Sequence, residues 1–445
     1  MKRTRWIPLF TVLVLTLPPV SAPAQTRVQS VQEAIALAQR NNPELVNARQ
    51  NRTLQDQQRI AAKAALLPQG RLYINFDYNY ALPTQLIPAE FIGGQPGEFR
   101  TVRFGLPFTL TAGAEVTAPI LNKPVRTDID ITSQNLRILD DQTLVLQDEL
   151  STQTARVYHA VLLARAAVAI NQRTLASADT LVQIARVRLD KGLIEPLEYN
   201  RIRSVQLTTA DVVQQNELTY IRNLNQLKLL LGLTLADSLV VGQQLTMQPI
   251  HNDHTNMALA AGRDGERPQV TLRRSQLELY KLQLEREKAL RLPTLSAYIR
   301  YSEQAQRDRL DFWDFSKRWF PIGVAGLQFS LPLYTGGLRN SQIARARMRV
   351  KLAEAELAYE RVRQQIDTED IRNSYRQAIR SLDLNRQNYE LSEQNVQISL
   401  VKYRSGLFSY DQYLNVFNEA LQARNRYLSN LSTAFINQTI LQLRN

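Results

Sequence analysis

Two stretches of this chain, about residues 126–190 and 338–405, contain neither proline nor glycine. Both are rich in Ala, Leu, Gln and Arg, good helix formers. As uninterrupted helices they would each run roughly 95–100 Å at about 1.5 Å per residue. Helices in globular domains average about 11–12 residues. The apolar positions here are broken by Gln, Asn, Ser and Arg on every side. A helix that is polar nearly all round bridges solvent or builds a thin wall wet on both surfaces. A coiled-coil rod would satisfy the same pattern.

Against this helical background stand four strands. In "RLYINFDYNY" (71–80), Leu72, Ile74, Phe76, Tyr78 and Tyr80 fall on one parity, and Arg71, Asn75, Asp77 and Asn79 on the other. Tyr73 is the exception. One face is greasy and one is wet. A second strand, 103–120, sets Phe104, Leu106, Phe108, Leu110, Ala114 and Val116 against Thr109, Thr111, Glu115 and Thr117. Pro107 inside it argues for an edge or bulge. A third, 294–302, opposes Leu295, Ala297, Ile299 and Tyr301 to Ser296, Arg300 and Ser302; in the fourth, Leu327, Phe329 and Leu331 oppose Gln328 and Ser330. Each is long enough to cross a bilayer as a tilted strand. An ordinary sheet packed on helices is the other reading, but no helix here has a broad apolar face to cover it.

The chain is written twice. Pro43 aligns with Pro268, and Lys63, Leu67 and Pro68 with Lys288, Leu292 and Pro293, all at an offset of 225. Pro119 and Arg126 match Pro332 and Arg339 at 213, and Gly192 and Tyr199 match Gly406 and Tyr413 at 214. Each half repeats helix, strand, loop, strand, very long helix, glycine turn, helix. A period this long means a duplicated unit.

The first residues, with Lys2, Arg3 and Arg5 before "IPLFTVLVLTLPPV" and then Ala22-Pro23-Ala24, read as a secretory signal peptide cut after Ala24. No later stretch is long and apolar enough for a spanning helix. There are no cysteines, which excludes disulfides, thiolate catalysis and thiolate metal sites. Of 54 Lys and Arg, three lie in the signal peptide; the remaining 51 exceed the 41 acids by 10. Acids are interleaved with them and no clustered basic block occurs, so nucleic acid is not an expected partner.

Four strands cannot close a barrel, and an open sheet in lipid would leave edge groups unsatisfied. The chain must complete a barrel with copies of itself: two give eight strands, three give twelve. The signal peptide, the duplicated strand pairs with long helices, the "NNPEL" start (41–45) and the paired "KGL" (191–193) and "SGL" (405–407) turns resemble the TolC-like outer-membrane efflux channels. The resemblance covers about residues 30–443. It implies an α+β membrane protein: mostly long α-helices forming a periplasmic tunnel, plus four transmembrane strands per chain completing a twelve-stranded barrel in a homotrimer. The expected organisation is signal peptide 1–24; first repeat 25–231, with strands about 71–80 and 103–118; inter-repeat equatorial segment 232–266; and second repeat 267–445, with strands about 294–303 and 322–331. Loops 81–102 and 304–320 would face outside.

The resemblance also implies partners and sites. The channel would be the passive exit duct of a tripartite efflux or type I secretion system. It would contact outer-membrane lipid, a periplasmic adaptor (membrane fusion protein) and an inner-membrane pump of RND or ABC type. The tips at Gly192, Leu193, Gly406 and Leu407 would meet the adaptor. The periplasmic gate would involve Glu198, Tyr403, Asp411, Gln412 and Asn415, with the Tyr403 hydroxyl bonding the Glu198 carboxylate. Where some family members carry rings of Asp at the aperture, this chain has Gln412 and Asn415. No nucleophile motif or phosphate-binding loop occurs, so no enzymatic activity and no cofactor is expected. "HNDH" (251–254) lacks an evident third ligand, and no metal site is expected from it. The competing class is a barrel-anchored trimeric coiled-coil protein of adhesin type, which carries one anchor repeat rather than two strand pairs set between helices.

Overall fold

The structure is a computed structural model that describes residues 26–243, 266–314 and 316–444. "HNDH" lies outside the described residues. Contacts divide the chain into two units.

One unit, residues 46–146 and 264–369, holds the sheet. Its strands are β2 (Gln69–Tyr78), β5 (Phe108–Leu121), β7 (Thr294–Arg307) and β8 (Phe320–Ser330), antiparallel throughout and in that spatial order. A hairpin of β3 (Thr84–Pro88) and β4 (Phe99–Arg103) stands between β2 and β5 in sequence. Register carries the parity from strand to strand. Phe76 pairs with Leu110, Leu110 with Ala305, and Val116 with Ile299, so the apolar positions share one face. Among the described residues most of that face is uncovered: Leu72 is 87% exposed, Ile74 74% and Leu327 68%, whereas Phe312 packs edge-on against Phe76 at 5.9 Å. Among the described residues, no helix is long and apolar enough to cross a membrane.

Tyr73, the break in the alternation, faces the polar side with a steric purpose. It is paired with Gly113, and a Cβ built on Gly113 would lie 2.8 Å from its hydroxyl. Tyr298 stands in the same relation to Gly326, again at 2.8 Å. Each ring occupies the space that its glycine vacates, an aromatic cover over a strand glycine. The two pairs sit at equivalent places in the two halves.

Three sequence expectations need correction. The strand expected over 103–118 starts at Phe108, because Gly105 takes φ of 98° and Pro107 brings no N–H to the ladder. Phe104 and Leu106 are therefore off the strand; the Phe104 N–H bonds the Pro83 carbonyl at 3.1 Å, extending the hairpin instead. The loop expected over 81–102 contains that hairpin. The loop expected at 304 begins later, since β7 continues to Arg307 opposite Phe108.

Helices complete this unit: the greater part of α2 (Pro43–Ala64), the start of α3 (Lys123–Asp190), α5 (Pro268–Ala289) and the start of α6 (Leu338–Arg404). Val270 and Leu277 of α5 are buried against Ala353 and Leu357 of α6. Arg52 reaches Asp140 at 2.6 Å, joining α2 to α3, and Arg286 reaches Asp128 at 2.5 Å, joining α5 to α3.

The other unit, residues 26–45, 147–243 and 370–444 of those described, is helical apart from a parallel pair, β1 (Thr26–Val28) with β6 (Leu239–Val241). It holds α1 (Val31–Asn41), the rest of α3, α4 (Pro196–Leu230), the rest of α6, and α7 (Tyr410–Arg444). Gln172 of α3 bonds Glu217 of α4 at 3.1 Å, and Asn437 of α7 bonds Ser374 of α6 at 2.9 Å. His159 joins α3 to α7 through Thr439 at 3.2 Å and stacks on Phe435. Burial pushes its pKa down to about 4, so it stays neutral at physiological pH and serves packing.

Candidate functional site at the paired helix tips

α3 and α6 end in the same way. At the first tip, Leu193 N–H donates to the Arg188 carbonyl and Gly192 N–H to that of Leu189, both at 2.8 Å. At the second, Leu407 N–H donates to Lys402 at 2.9 Å and Gly406 N–H to Tyr403 at 3.1 Å. This double closure needs a left-handed residue just past the helix end. Gly192 and Gly406 supply it, with φ of 69° and 79°. A side chain at either would be strained. The expected tip leucines are exposed, Leu193 at 68% and Leu407 at 75%. Ile194 and Phe408, one residue further, make the inward contact instead.

The core behind the tips is aromatic. Leu181 and Ala185 of α3, Ile202 of α4, Tyr403 of α6 and Tyr410 and Tyr413 of α7 are buried together. The Tyr403 ring lies 6.2 Å from Tyr410 and 6.0 Å from Tyr413. Burial raises the pKa of all three phenols, those of Tyr410 and Tyr413 to about 12. All stay protonated, so the cluster carries no phenolate.

Two arginines tie the first hairpin (α3–α4) to the second (α6–α7). Arg188 lies 5.0 Å from the Tyr403 ring centroid, and its Nη2 donates to the carbonyls of Tyr403 and Arg404 at 3.0 and 2.8 Å. It thereby satisfies the last carbonyls of a helix not its own. Arg201 grips Asp411 with two bonds, of 3.0 and 3.1 Å. Neither arginine was singled out in the sequence. Arg188 reads there as an ordinary cation completing its own helix's dipole, and nothing local reports a partner 215 positions away.

The other expected gate residues take these places. Glu198 sits half-buried in the first turn of α4. Its charge acts on Tyr403, raising that pKa further after burial. The expected hydrogen bond between them is not formed within the chain: the Tyr403 hydroxyl is buried in the aromatic cluster, and the group that favours its ionised form is the Arg188 guanidinium, not Glu198. Gln412 is engaged in capping α7; its N–H donates to Ser409 Oγ at 3.3 Å, while Ser409 N–H donates to Gln412 Oε1 at 2.9 Å. Asn415 is exposed, one turn further on. Among the described residues no group of three or more His, Cys, Asp or Glu could hold a metal ion.

Comparison with known proteins fits this geometry. Residues 265–442 match the family model described as outer membrane efflux protein. The second half of the chain is thus similar to that family, in line with the resemblance read from the sequence. No curated protein matches the chain in sequence. Solved structures share the fold over nearly its whole length. The Campylobacter jejuni CmeC outer membrane channel superposes with a TM-score of 0.73 at 14% identity, covering 93% of this chain and 85% of its own. The outer membrane protein VceC from Vibrio cholerae gives 0.72 at 17%, covering 93% and 95%. CusC gives 0.71 at 16%, covering 98% and 97%.

The tip contacts separate two substitutions. Arg188→Ala removes a cation–π contact and two bonds to helix-end carbonyls, an expected loss of about 1–3 kcal/mol. Tyr403→Phe keeps the ring under Arg188 and removes a hydroxyl that makes no well-formed bond, so it should cost less than Arg188→Ala. Melting of the purified protein in detergent distinguishes them. Equal losses would mean that the hydroxyl is bonded.

Proposed function

We propose that this protein is the outer-membrane exit channel of a tripartite efflux or type I secretion system. It conducts substrates passively from a periplasmic adaptor and an inner-membrane pump of RND or ABC type to the outside. The observation that supports this best is the four-stranded sheet, with one uncovered apolar face and two strands, β2 and β8, paired on one side only. In lipid, backbone groups at such edges must find partners. Joining β8 of one copy to β2 of the next satisfies them, and three copies give a closed twelve-stranded barrel wide enough for a lumen. Internal duplication accounts for the two Tyr–Gly pairs and the two matching tips. The channel is a conduit and needs no catalytic group or cofactor; energy comes from the pump.

The apolar face meets lipid and the polar face lines the pore. Arginine at a lipid-facing midplane site costs roughly 2–4 kcal/mol. Phe76→Arg should therefore cut the yield of assembled barrel sharply, while Asn75→Arg, on the opposite face, is tolerated. Heat-modifiable mobility of membrane extracts reads the result, and equal effects would mean that the faces are misassigned.

The gate lies at the tips. Tyr403 and Glu198 stand beside the Arg188 and Arg201–Asp411 ties that hold the two hairpins together, and Gln412 and Asn415 follow on α7. Gly192 and Gly406 present Leu193 and Leu407 to water in matching positions, six leucines in a trimer. Such a rim offers repeated apolar contacts to an adaptor's helical hairpins. Leu193→Ser combined with Leu407→Ser should leave melting temperature and bilayer conductance unchanged but abolish co-purification with the adaptor and export. A stable double variant that still binds its adaptor normally would contradict the docking role.

A further inference from the structure

The polar face of the sheet carries one concentrated charge cluster. Glu115 of β5 is flanked by its two cross-strand partners, Arg71 on β2 and Arg300 on β7. Arg71 Nη2 donates to Glu115 Oε2 at 2.9 Å, and the Arg300 guanidinium donates to the same oxygen at 3.2 Å. One carboxylate thus answers two guanidiniums, and one positive charge is left over. Access is unequal as well. The Glu115 side chain is 13% exposed, against 71% for Arg71 and 45% for Arg300. A solute passing this face meets guanidinium N–H groups before it meets the carboxylate.

Little on the same face offsets that charge. β5 has no other carboxylate, β8 has none, and Glu303 of β7 has the opposite parity, paired with Ala112. Asp77 shares the face, but six residues along β2 from Arg71, about 20 Å away at ~3.3 Å per residue. That is roughly two Debye lengths at physiological ionic strength. At the tips, Asp411 is occupied by Arg201, neither Gln412 nor Asn415 is charged, and Glu198 is half-buried in the first turn of α4.

We propose that the Arg71–Glu115–Arg300 layer forms an anion-selecting ring in the pore, three net positive charges at one level of the trimer. Cargo on this route is then small molecules bearing carboxylate, phosphate or sulfonate groups, whose oxygens match the guanidinium fork. Rings of Arg or Lys select anions in other pores by the same electrostatics. The inference rests on the channel reading above and adds the class of substrate to it.

The test is the reversal potential of the purified channel in planar bilayers under a KCl gradient. Wild type is compared with Arg71→Gln/Arg300→Gln and with Glu115→Gln. The double arginine variant bares Glu115 and should shift the chloride-to-potassium permeability ratio toward potassium by roughly threefold or more. Glu115→Gln should shift it toward chloride. Arg71→Gln alone, at a mostly exposed side chain, gives the same reading at smaller amplitude if the other variants do not assemble. A conducting Arg71→Gln channel, alone or with Arg300→Gln, whose reversal potential is unchanged or moves toward chloride overturns the ring. Should the wild type insert without conducting, the comparison is repeated in an Arg201→Ala background, which breaks the exposed tie at the tips; a channel silent in that background too overturns the channel reading itself, and the ring with it.

Discussion

Backbone hydrogen bonding at the two sheet edges governs this protein. Among the described residues β2 and β8 each have one neighbour, and their outward N–H and C=O groups need partners wherever water is absent. A soluble protein could hydrate those edges, but the apolar face between them is too large and too uncovered for water. On the channel reading proposed above, the two demands have one joint solution, a barrel closed through other copies, edge to edge. On that reading the need for copies follows from the sheet alone.

The helices answer a different demand. Their runs without proline or glycine let α3 and α6 reach 68 and 67 residues. Each stops only where a glycine closes the last turn. Behind the tips, aromatic burial and two arginines hold the hairpins together. Arg188 acts on backbone carbonyls at the end of the second hairpin's helix, where Gly406 closes it. Arg201–Asp411 is an exposed pair, worth little as stability, and it is suited to being made and broken.

Much of this was legible in the sequence. Alternation in 71–80 and 294–302 set the strand faces, and offsets between prolines and glycines set the order of elements. What was not legible depended on backbone angles or on distant partners. Gly105 and Pro107 end the second strand early, although Phe104 and Leu106 keep its parity. Tyr73 looked like an error in the pattern until its cross-strand glycine was known. Tyr403 was found through the resemblance, but its hydroxyl does not bond Glu198 as expected, and Arg188, which contacts it, looks in sequence like any helix-end cation. The Glu115 cluster needs the register of three strands at once, which no single stretch of sequence displays.

The central claim is that one chain cannot complete the membrane-spanning structure. Sedimentation or light scattering of the purified protein, corrected for bound detergent, measures this most directly. The account predicts a single species of three chain masses. A monodisperse monomer retaining its strand content, with both sheet edges satisfied by detergent or by itself, would contradict it.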